Sequence, residues 1–197
     1  MISVQRRGAL RFACAYRTVS EVAILVIIGI IRIWLLAKER KLIYYRKNEG
    51  DVNRIRADFR RDVMLEWQAL WENRADSRWT KRPIKEVVPW IKREHGEVNY
   101  FLTQFLSGHG FFQSYLFRMS KVGSPECVFC PGERDDAYQT FFDCDRWMTK
   151  KIALETEIGG ITPDNIVERM LQNEKRWSAV ARFVEDILRA KKILMTT

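Results

Sequence analysis

The chain has 197 residues, of which 47% are apolar and 30% carry a charge. This balance is typical of a folded globular protein and excludes a disordered chain. Lys and Arg number 34 against 25 Asp and Glu residues, which leaves a net charge of +9. An excess of this size favours an anionic partner, either nucleic acid or an acidic membrane surface, unless the cations form only a solvated surface.

The longest apolar segment lies near the amino terminus. Residues 22–31 are apolar throughout, and residues 33–37 extend the segment beyond Arg32. A membrane span needs roughly 20 consecutive apolar residues, so this shorter run with an internal Arg favours two buried helices that separate at Gly29. The alternative is a basic protein that residues 22–37 anchor to a membrane.

Three helices are predicted in the first third of the chain. Thr18 and Glu21 have the spacing of a capping box, which predicts that the first helix starts there. We expect a second helix over residues 35–47 and a long third helix with an apolar face. That face consists of Ile55, Phe59, Val63, Trp67, Leu70 and Trp71. Residues 38–61 carry nine Lys or Arg and four Asp or Glu, a local balance of 9 − 4 = +5.

A basic and aromatic stretch follows the long helix. Residues 73–83 are predicted to form a loop in which cations and aromatic rings interleave. Such a pattern suits phosphate contact and base stacking on RNA or single-stranded DNA. Trp79 is equally consistent with a core anchor whose basic neighbours face water. The candidate nucleic-acid contacts, with two basic residues from just downstream, are Arg78, Trp79, Lys81, Arg82, Lys92 and Arg93.

The remainder of the chain is also predicted to be helical. We expect helices near residues 89–95, 97–106, 111–119, 147–157 and 174–195. Thr162 and Pro163 form a standard helix cap and first-turn proline. Because no strand-like alternation is present, the predicted fold is mainly α. It is an irregular helical bundle with a small Cys-rich knuckle and a C-terminal helical hairpin.

No group of residues forms a recognisable catalytic constellation. His109 stands between two glycines, and a loop histidine of this kind is more often structural than catalytic. Asp135 and Asp136 are adjacent as in a polymerase metal pair, but the apolar strands that hold such a pair are missing, so we predict a loop. Neither a phosphate-binding glycine loop nor a nucleophile motif is present, and we expect no catalytic activity from this chain.

The strongest local signal is a cluster of cysteines. Cys127, Cys130 and Cys144 follow the spacing C-x2-C-x8-Q-x4-C, while Cys14 lies far from them in sequence. The three thiols occupy three of the four positions of a zinc knuckle, in which zinc is bound in a tetrahedron. A C-x2-C pair is typical of a reducing compartment, so we expect an intracellular protein, in the nucleus or the cytoplasm.

The fourth knuckle position is Gln139, where a zinc site of this type has a His. An amide is a poor zinc donor, so zinc would need Asp136, Asp143 or water as its fourth ligand. The alternative is three free thiols on a degraded knuckle. Zinc is therefore the candidate cofactor, with a reduced expected affinity.

Several short motifs of this chain occur in an order that is found in one family. They are residues 15–20 (AYRTVS), 29–31, 35–40 (LLAKER), 67–68, 78–80 (RWT), 90–91, 95–100 (HGEVNY), 102–104, 106–110 (LSGHG) and the cysteine cluster. In these motifs, over roughly residues 8–147, the chain resembles the carboxy-terminal part of the Pol-like polyprotein of insect non-LTR retrotransposons, the clade that inserts into ribosomal DNA.

The resemblance has implications for function and for the division of the chain. In that family the polyprotein carries an endonuclease and a reverse transcriptase, followed by a thumb-like helical region and a cysteine-rich knuckle. This chain resembles only the last two parts, and the resemblance implies a nucleic-acid-binding fragment of an RNA-directed DNA polymerase without its catalytic core. The implied regions are 1–75 (thumb-like), 76–121 (helical connector), 122–147 (degenerate knuckle) and 148–197 (C-terminal helices).

Four positions depart from the pattern of that family. Arg32, Pro83 and Phe111 stand where the family usually has Pro, Leu and Cys, and Gln139 replaces the knuckle His. These changes are typical of a copy that is no longer held to the original function, so an inert relic product is a further interpretation.

Overall fold

The computed structural model describes residues 2–73 and 78–196, with the side chains of all these residues except Ile2, Arg78 and Thr196. Within these ranges the chain forms helices and loops and no β-strand, which confirms the predicted mainly-α fold. The α-helices are α1 (Ile2–Phe12), α2 (Glu21–Ile27), α3 (Ile33–Arg46), α4 (Val52–Glu72), α5 (Arg78–Lys81), α6 (Val87–Ile91), α7 (Tyr100–Ser107), α8 (Gln113–Arg118), α9 (Met148–Ile158), α10 (Ile166–Leu171) and α11 (Glu174–Thr196). A π-helical turn (Gln139–Asp143) and a 3-10 turn (Asp145–Trp147) precede α9.

The apolar segment near the amino terminus forms a short buried helix. All six residues from Val22 to Ile27 of α2 are buried. The chain then turns at Gly29, whose φ of +71° is readily adopted only by glycine, and α3 begins four residues later. Trp90 Nε1 donates hydrogen bonds to the carbonyls of Val26 and Ile27 at 2.9 and 3.1 Å, which satisfies two acceptors at the end of α2. The predicted separation at Gly29 is confirmed, but only the first of the two helices is buried, since Leu35 and Glu39 are the buried residues of α3.

The described ranges include no helix with the length and apolar character that a membrane crossing requires.

The predicted cap of α2 is wrong by two residues. Ser20 is the N-cap, and its hydroxyl accepts a hydrogen bond from Ala23 N at 3.2 Å. Thr18 has the capping-box spacing, but its hydroxyl lies 2.9 Å from the hydroxyl of Tyr115. The Thr18 hydroxyl therefore contacts Tyr115, from a distant part of the chain, and does not cap α2. One hydroxyl cannot reach both places.

Two other local predictions also need correction. The predicted loop at residues 73–83 contains the short helix α5 (Arg78–Lys81). Thr162 does not cap α10, because a turn separates it from the first helical residue, Ile166. Thr162 N instead donates to Asn165 Oδ1 at 2.7 Å, so the local polar side chain closes a turn before the helix begins.

One cluster of buried apolar side chains extends from α2 to α11. The predicted face of α4 contributes Trp67 and Trp71, both of which are almost completely buried. Trp71 Nε1 donates to the carbonyl of Ile84 at 2.8 Å, so its polar atom is satisfied inside the core. A smaller cluster joins α1 to α2.

The C-terminal hairpin is present as predicted. Gln172 and Asn173 connect α10 to α11, and both α9 and α10 pack against α11. Trp177 of α11 lies directly on the backbone of Gly96, where an added Cβ would be 2.1 Å from the indole ring. Any larger residue at this position would displace α11, so Gly96 determines how closely the C-terminal helix approaches the rest of the chain.

Candidate metal centre and basic surfaces

The three cysteines of the predicted knuckle lie together. Cys144 Sγ is 3.9 Å from Cys127 Sγ and 3.7 Å from Cys130 Sγ, and the three sulfur atoms lie within 4.8 Å of one another. Thiolates that bind one zinc ion at about 2.3 Å in a tetrahedron are about 3.8 Å apart. These separations fit one metal ion. Cys14 is exposed, and it does not belong to the group.

Backbone hydrogen bonds bring the thiols to this place. Cys127 N donates to the carbonyl of Glu133 at 2.8 Å, and Glu133 N donates to the carbonyl of Cys130 at 3.1 Å. This reversal of the chain brings the two thiols of the C-x2-C pair to the same site. Cys144 follows the π-helical turn, where its N–H donates to the carbonyl of Gln139 at 2.7 Å.

Gln139, at the position of the knuckle His, is buried without hydrogen-bond partners. Its side chain is 4% exposed, and both amide atoms lack a partner among the described residues. A buried polar group without a partner costs about 1–3 kcal/mol. The amide thus lowers the stability of the knuckle, and its chemistry makes it a poor ligand for the ion.

No charged side chain joins the group of three thiols in the described ranges. Within residues 2–73 and 78–196, the group around the three thiols includes no His, Asp or Glu. Asp136 Oδ1 accepts a hydrogen bond from Gln139 N at 3.0 Å instead. The carboxylate of Asp143 interacts with the Tyr138 hydroxyl through its charge and a hydrogen bond, and it raises the pKa of that hydroxyl. Neither of these two carboxylates is grouped with the three thiols.

Metal binding at the cysteines would release protons. Burial raises the pKa of the Cys144 thiol to about 12, and the neighbouring Cys127 and Cys130 thiols add to the effect. Without a metal ion this thiol is therefore protonated at neutral pH, and a metal ion must displace its proton. The three cysteines can bind a metal ion.

A buried ion pair attaches α11 to the knuckle. Lys191 Nζ pairs with Asp135, and the two side chains are 7% and 2% exposed. Thr140 Oγ1 donates to Asp135 Oδ1 at 2.7 Å and accepts from Lys191 Nζ at 2.8 Å. Gln113 N donates to the second oxygen of Asp135 at 2.8 Å. Asp135 lies in a loop as predicted, but its carboxylate is a central structural group.

Sequence analysis missed the role of Lys191, although a signal was available. Lys191 follows Ile187 by four residues and Leu188 by three, which places its charge on the apolar face of α11. A lysine at such a position must leave the apolar environment or find a buried partner. The partner itself could not be identified, because it lies 56 residues away in sequence.

The aromatic member of the predicted nucleic-acid contacts faces the interior. Trp79 Nε1 donates to the carbonyl of Phe105 at 2.6 Å. The two rings meet edge to face, with centroids 6.1 Å apart, and Trp79 packs against the large core. These are the contacts of a core anchor, which was the second interpretation of this residue.

Arg93 also makes internal contacts. Its guanidinium lies 4.3 Å from the ring centroid of Trp90 and 5.2 Å from that of Trp177. Arg93 Nε donates to the carbonyl of Gly96 at 3.2 Å. Burial lowers the pKa of Arg93, and the stacked rings and carbonyl acceptors offset part of the cost of burying its charge.

The other residues predicted to contact nucleic acid differ in how accessible their charged groups are to a ligand. Lys81 Nζ donates to a backbone carbonyl at the end of α4 at 2.9 Å. Arg82 forms an ion pair with Asp164 at 2.9 Å, and both side chains remain partly exposed. Lys92 is exposed. The side chain of Arg78 lies outside the described part of the chain.

A second basic region lies between α3 and α4. A groove of about 950 Å³ separates these helices. Its polar and aromatic lining residues include Glu39, Arg40, Tyr44, Lys47, Arg56 and Arg60. Glu39 is buried and pairs with Arg60 at 2.6 Å. For Arg40, Lys47 and Arg56, the described residues provide no carboxylate within ion-pairing distance. We call the groove and the exposed residues next to it the α3–α4 surface.

Two neighbouring tyrosines stand out from the α3–α4 surface. Tyr44 and Tyr45 are 65% and 67% exposed, which is unusual for large aromatic side chains. Lys47 Nζ lies 4.5 Å from the ring centroid of Tyr44, and Lys41 Nζ lies 6.0 Å from that of Tyr45. Exposed rings and cations are therefore adjacent here. The sequence contained this signal as a tyrosine pair inside a basic segment, but it was not selected.

Comparison with known proteins gives one informative similarity. The chain is 27% identical over 95 residues to a retrovirus-related Pol polyprotein from type-1 retrotransposable element R1 4 of Nasonia vitripennis. The aligned segment covers 48% of this chain and 24% of that polyprotein, so the chain spans about a quarter of the relative's length. No protein-family model and no solved structure matches this chain. Part of the chain is therefore related to a retrotransposon Pol polyprotein.

Proposed function

We propose that this chain derives from the carboxy-terminal part of a Pol polyprotein of the ribosomal-DNA-inserting, non-LTR clade, and that it binds RNA or single-stranded DNA without sequence preference. The similarity to the Nasonia vitripennis polyprotein and the three thiols at knuckle spacing support this origin. The proposed compartment is the nucleus or the cytoplasm, where nucleic acid is present. The division into a thumb-like region, connector, knuckle and C-terminal helices remains a prediction.

The observation that supports nucleic-acid binding is the α3–α4 surface. Proteins that bind single strands without sequence preference combine a cationic groove with exposed aromatic rings on which bases stack. Arg40, Lys47 and Arg56 supply the unpaired cations of the groove, and Tyr44 and Tyr45 supply the rings. Phosphate groups would displace the counterions of these cations, and the bases would lie against the tyrosines.

The contacts chosen from the sequence have a smaller part in this proposal. Trp79, Lys81 and Arg93 make internal contacts that would be lost if they turned toward a ligand. Arg82 and Lys92 have exposed head groups and remain candidates for a secondary phosphate contact. We therefore place the main contact on α3 and α4 and the secondary contact near α5 and α6.

The binding itself is tested by fluorescence anisotropy with a labelled RNA and a labelled single-stranded DNA of mixed sequence. Because phosphate contacts release counterions, the affinity should fall steeply between about 50 and about 200 mM salt. RNA and DNA of unrelated sequence should bind with similar affinities. An affinity that does not change with salt, or no binding at micromolar protein, would contradict the proposed function.

The location of the contact is tested with a triple variant, Arg40→Gln, Lys47→Gln and Arg56→Gln. Each phosphate contact on a single strand contributes about 0.7 to the slope of log affinity against log salt, so the slope should fall by about 2. A weaker effect is expected from Arg82→Gln with Lys92→Gln. If this double variant reduces the slope more than the triple variant, the main contact lies near α5 and α6.

A matched control removes three positive charges from exposed residues in other parts of the chain. Suitable positions are Arg11, Lys121 and Arg182, each replaced by Gln. Nucleic-acid affinity should decrease only slightly in this control, because long-range attraction is screened at physiological salt. Equal losses in the control and in the α3–α4 variant would show that net charge, and not this surface, governs binding.

We propose zinc as the metal ion of the cysteine cluster. Cys127, Cys130 and Cys144 offer three thiolates at separations that suit its tetrahedral geometry, and water would complete the coordination. Zinc would order the knuckle loop, since metal binding to such a site contributes folding free energy. Addition of a chelator should therefore lower the unfolding temperature of the zinc-loaded protein.

A further inference from the structure

A polar cavity lies where five parts of the chain meet. It has a volume of about 440 Å³ and lies between the segment before α2, helix α5, the turn after α7, helix α8 and the knuckle loop. Its lining residues include Thr18, His109, Ser114, Tyr115, Arg118 and Arg134. None of these residues belongs to the metal site or to the α3–α4 surface. The lining includes two guanidinium groups and several hydroxyl groups, which can donate hydrogen bonds. The space that they surround is large enough for a small ligand.

A chain of hydrogen bonds orients the donors around the cavity. Arg118 lies 3.3 Å from His109 Nε2, and a guanidinium can only donate, so Nε2 accepts. His109 Nδ1 then carries the hydrogen and donates to the Thr18 hydroxyl at 3.0 Å. The hydroxyls of Thr18 and Tyr115 lie 2.9 Å apart, and either one can donate to the other. When Thr18 is the donor of this pair, the Tyr115 hydrogen is available to a ligand in the cavity.

The imidazole in this chain is neutral. Burial lowers the pKa of His109 to about 4, and the positive charge of Arg118 contributes. The ring of His109 is stacked on that of Tyr115, with centroids 4.9 Å apart, which fixes both residues. His109 was expected to be structural. Its position shows that it holds Thr18, Tyr115 and Arg118 in one arrangement.

Two guanidinium groups give the cavity a positive charge. Arg118 and Arg134 have no carboxylate partner within ion-pairing distance in the described ranges. Asp136 also lines the cavity, but its Oδ1 accepts the backbone N–H of Gln139 at 3.0 Å. The lining residues therefore have a formal charge of 2 − 1 = +1 with His109 neutral.

The walls of the cavity leave little room for movement. Gly108 has a φ of +68°, and an added Cβ would lie 3.0 Å from the ring of Trp79. At Gly110 an added Cβ would lie 2.0 Å from the side chain of Gln104. Gln104 Oε1 also accepts the N–H of Phe111 at 3.0 Å. The turn that carries His109 is thus held between two packed side chains, while Arg118 and Arg134 reach the cavity from the exposed surface.

We infer that this cavity binds the phosphoryl group of a phosphate monoester, with Arg118, Arg134 and the Tyr115 hydroxyl as its donors. A phosphate monoester carries a charge of about −1.5 to −2 at pH 7 and presents three strong acceptor oxygens. Guanidinium groups suit it because their N–H groups match the spacing of its oxygens. The volume exceeds that of a bare phosphate, which leaves room for the organic part of the ligand.

The first experiment titrates the full chain with inorganic phosphate and with a nucleoside 5′-monophosphate, followed by phosphorus NMR at low ionic strength. Both ligands should bind, and Arg118→Gln or Arg134→Gln should each weaken the affinity at least tenfold. Lys121→Gln, which removes an exposed charge outside the cavity, should have no effect. Absence of phosphate binding, or equal losses in all three variants, would overturn the inference.

A second variant separates the cavity from general attraction by positive charge. Tyr115→Phe removes one hydroxyl and keeps both the net charge and the stacked ring. Its unfolding temperature should stay close to that of the parent chain, while phosphate affinity should fall several-fold. If Tyr115→Phe binds phosphate as tightly as the parent chain, the hydroxyl is not a ligand and the proposed site is wrong.

The source of the phosphate is decided with oligonucleotides. If the ligand is the end of a strand, a 5′-phosphate should increase oligonucleotide affinity, and Arg118→Gln should remove this gain. If the ligand is a free nucleotide, the nucleoside monophosphate should bind equally well in the presence of the oligonucleotide. The triple α3–α4 variant should retain phosphate binding, so a failure of the proposed function would leave this inference standing.

Discussion

Basic residues have opposite roles in two regions of this molecule. Near α6 and α11, Arg93 lies against two tryptophan rings and Lys191 is buried with Asp135. On the α3–α4 surface, Arg40 and Arg56 are exposed and lack carboxylate partners among the described residues. In the sequence, both regions combine Lys and Arg residues with aromatic residues. The number of cations in a segment therefore does not reveal how many of them can meet an anion.

The physical reason is the cost of desolvation. A charge that enters the core must find hydrogen bonds or an opposite charge, and it then contributes to the fold and is no longer available to a ligand. A charge that stays in water keeps its counterions, and it can exchange them for phosphate. The following predictions test this division between internal and external cations.

Lys191→Met should have the largest effect. It leaves Asp135 buried without its cation, and breaking a buried pair in this way costs about 3–5 kcal/mol. The free energy of unfolding, measured with urea, should fall by this amount. Lys150→Met breaks the exposed Lys150–Asp186 pair and should cost below about 1 kcal/mol. Similar losses in the two variants would show that Lys191 is solvated in solution.

Removal of the exposed rings should have the next largest effect, and it acts on binding. Stacking on an aromatic side chain contributes about 1–3 kcal/mol per base, so Tyr44→Ala with Tyr45→Ala should weaken single-strand binding by more than tenfold. Stability should hardly change, because both side chains are exposed. Phe117, which is 46% exposed on α8, provides the matched aromatic control as Phe117→Ala. Anisotropy titrations of the parent chain, the double tyrosine variant and Phe117→Ala would measure the difference in single-strand affinity.

Gln139→His should change metal binding at the knuckle. The imidazole restores a nitrogen donor at the fourth position, so zinc affinity should rise by about tenfold or more. A competition titration with a chromophoric chelator measures the affinity. Gln139→Asn, which keeps an amide, should bind zinc like the parent chain. Equal affinities in all three proteins would show that this position does not face the ion.

The smallest effect expected at neutral pH concerns the protonation of His109. In the unfolded chain its pKa is near the ordinary value of 6.5, and in the folded chain it is about 4. Between these values the unfolded state binds more protons, so stability should fall as the pH decreases from 6.5 toward 4. His109→Asn should reduce this dependence, as measured by urea midpoints. An unchanged pH profile in the variant would mean that another group titrates.

Much of the fold follows from local sequence signals. Three features lie at the positions that apolar periodicity and glycine predicted. They are the apolar stripe of α4, the break at Gly29 and the C-terminal hairpin. The cysteine spacing likewise predicted a three-thiol cluster. The cap of α2 failed, because the sequence offered two hydroxyls within three residues and tertiary contact with Tyr115 selected between them.

The sequence alone could not show which basic residues make internal contacts and which remain accessible to a ligand. Trp79 is open to two interpretations from the sequence, and its hydrogen bond to the Phe105 carbonyl favours the core anchor. Lys81 and Arg82 are neighbours in the chain, but one donates to the backbone and the other pairs with Asp164. A sequence pattern describes which groups are available, and it does not describe which partners come within hydrogen-bond distance.

Local patterns in the amino-acid sequence are enough to show that this chain is helical and basic and that it carries three thiols at knuckle spacing. Helix formation and C-x2-C geometry depend on residues a few positions apart, so local patterns suffice. Only the tertiary structure decided which polar groups become partners. Thr18 meets His109 across 91 residues, and Lys191 meets Asp135 across 56. Such pairings depend on how whole helices pack, because burial makes an unpartnered polar group costly wherever its partner lies in the chain.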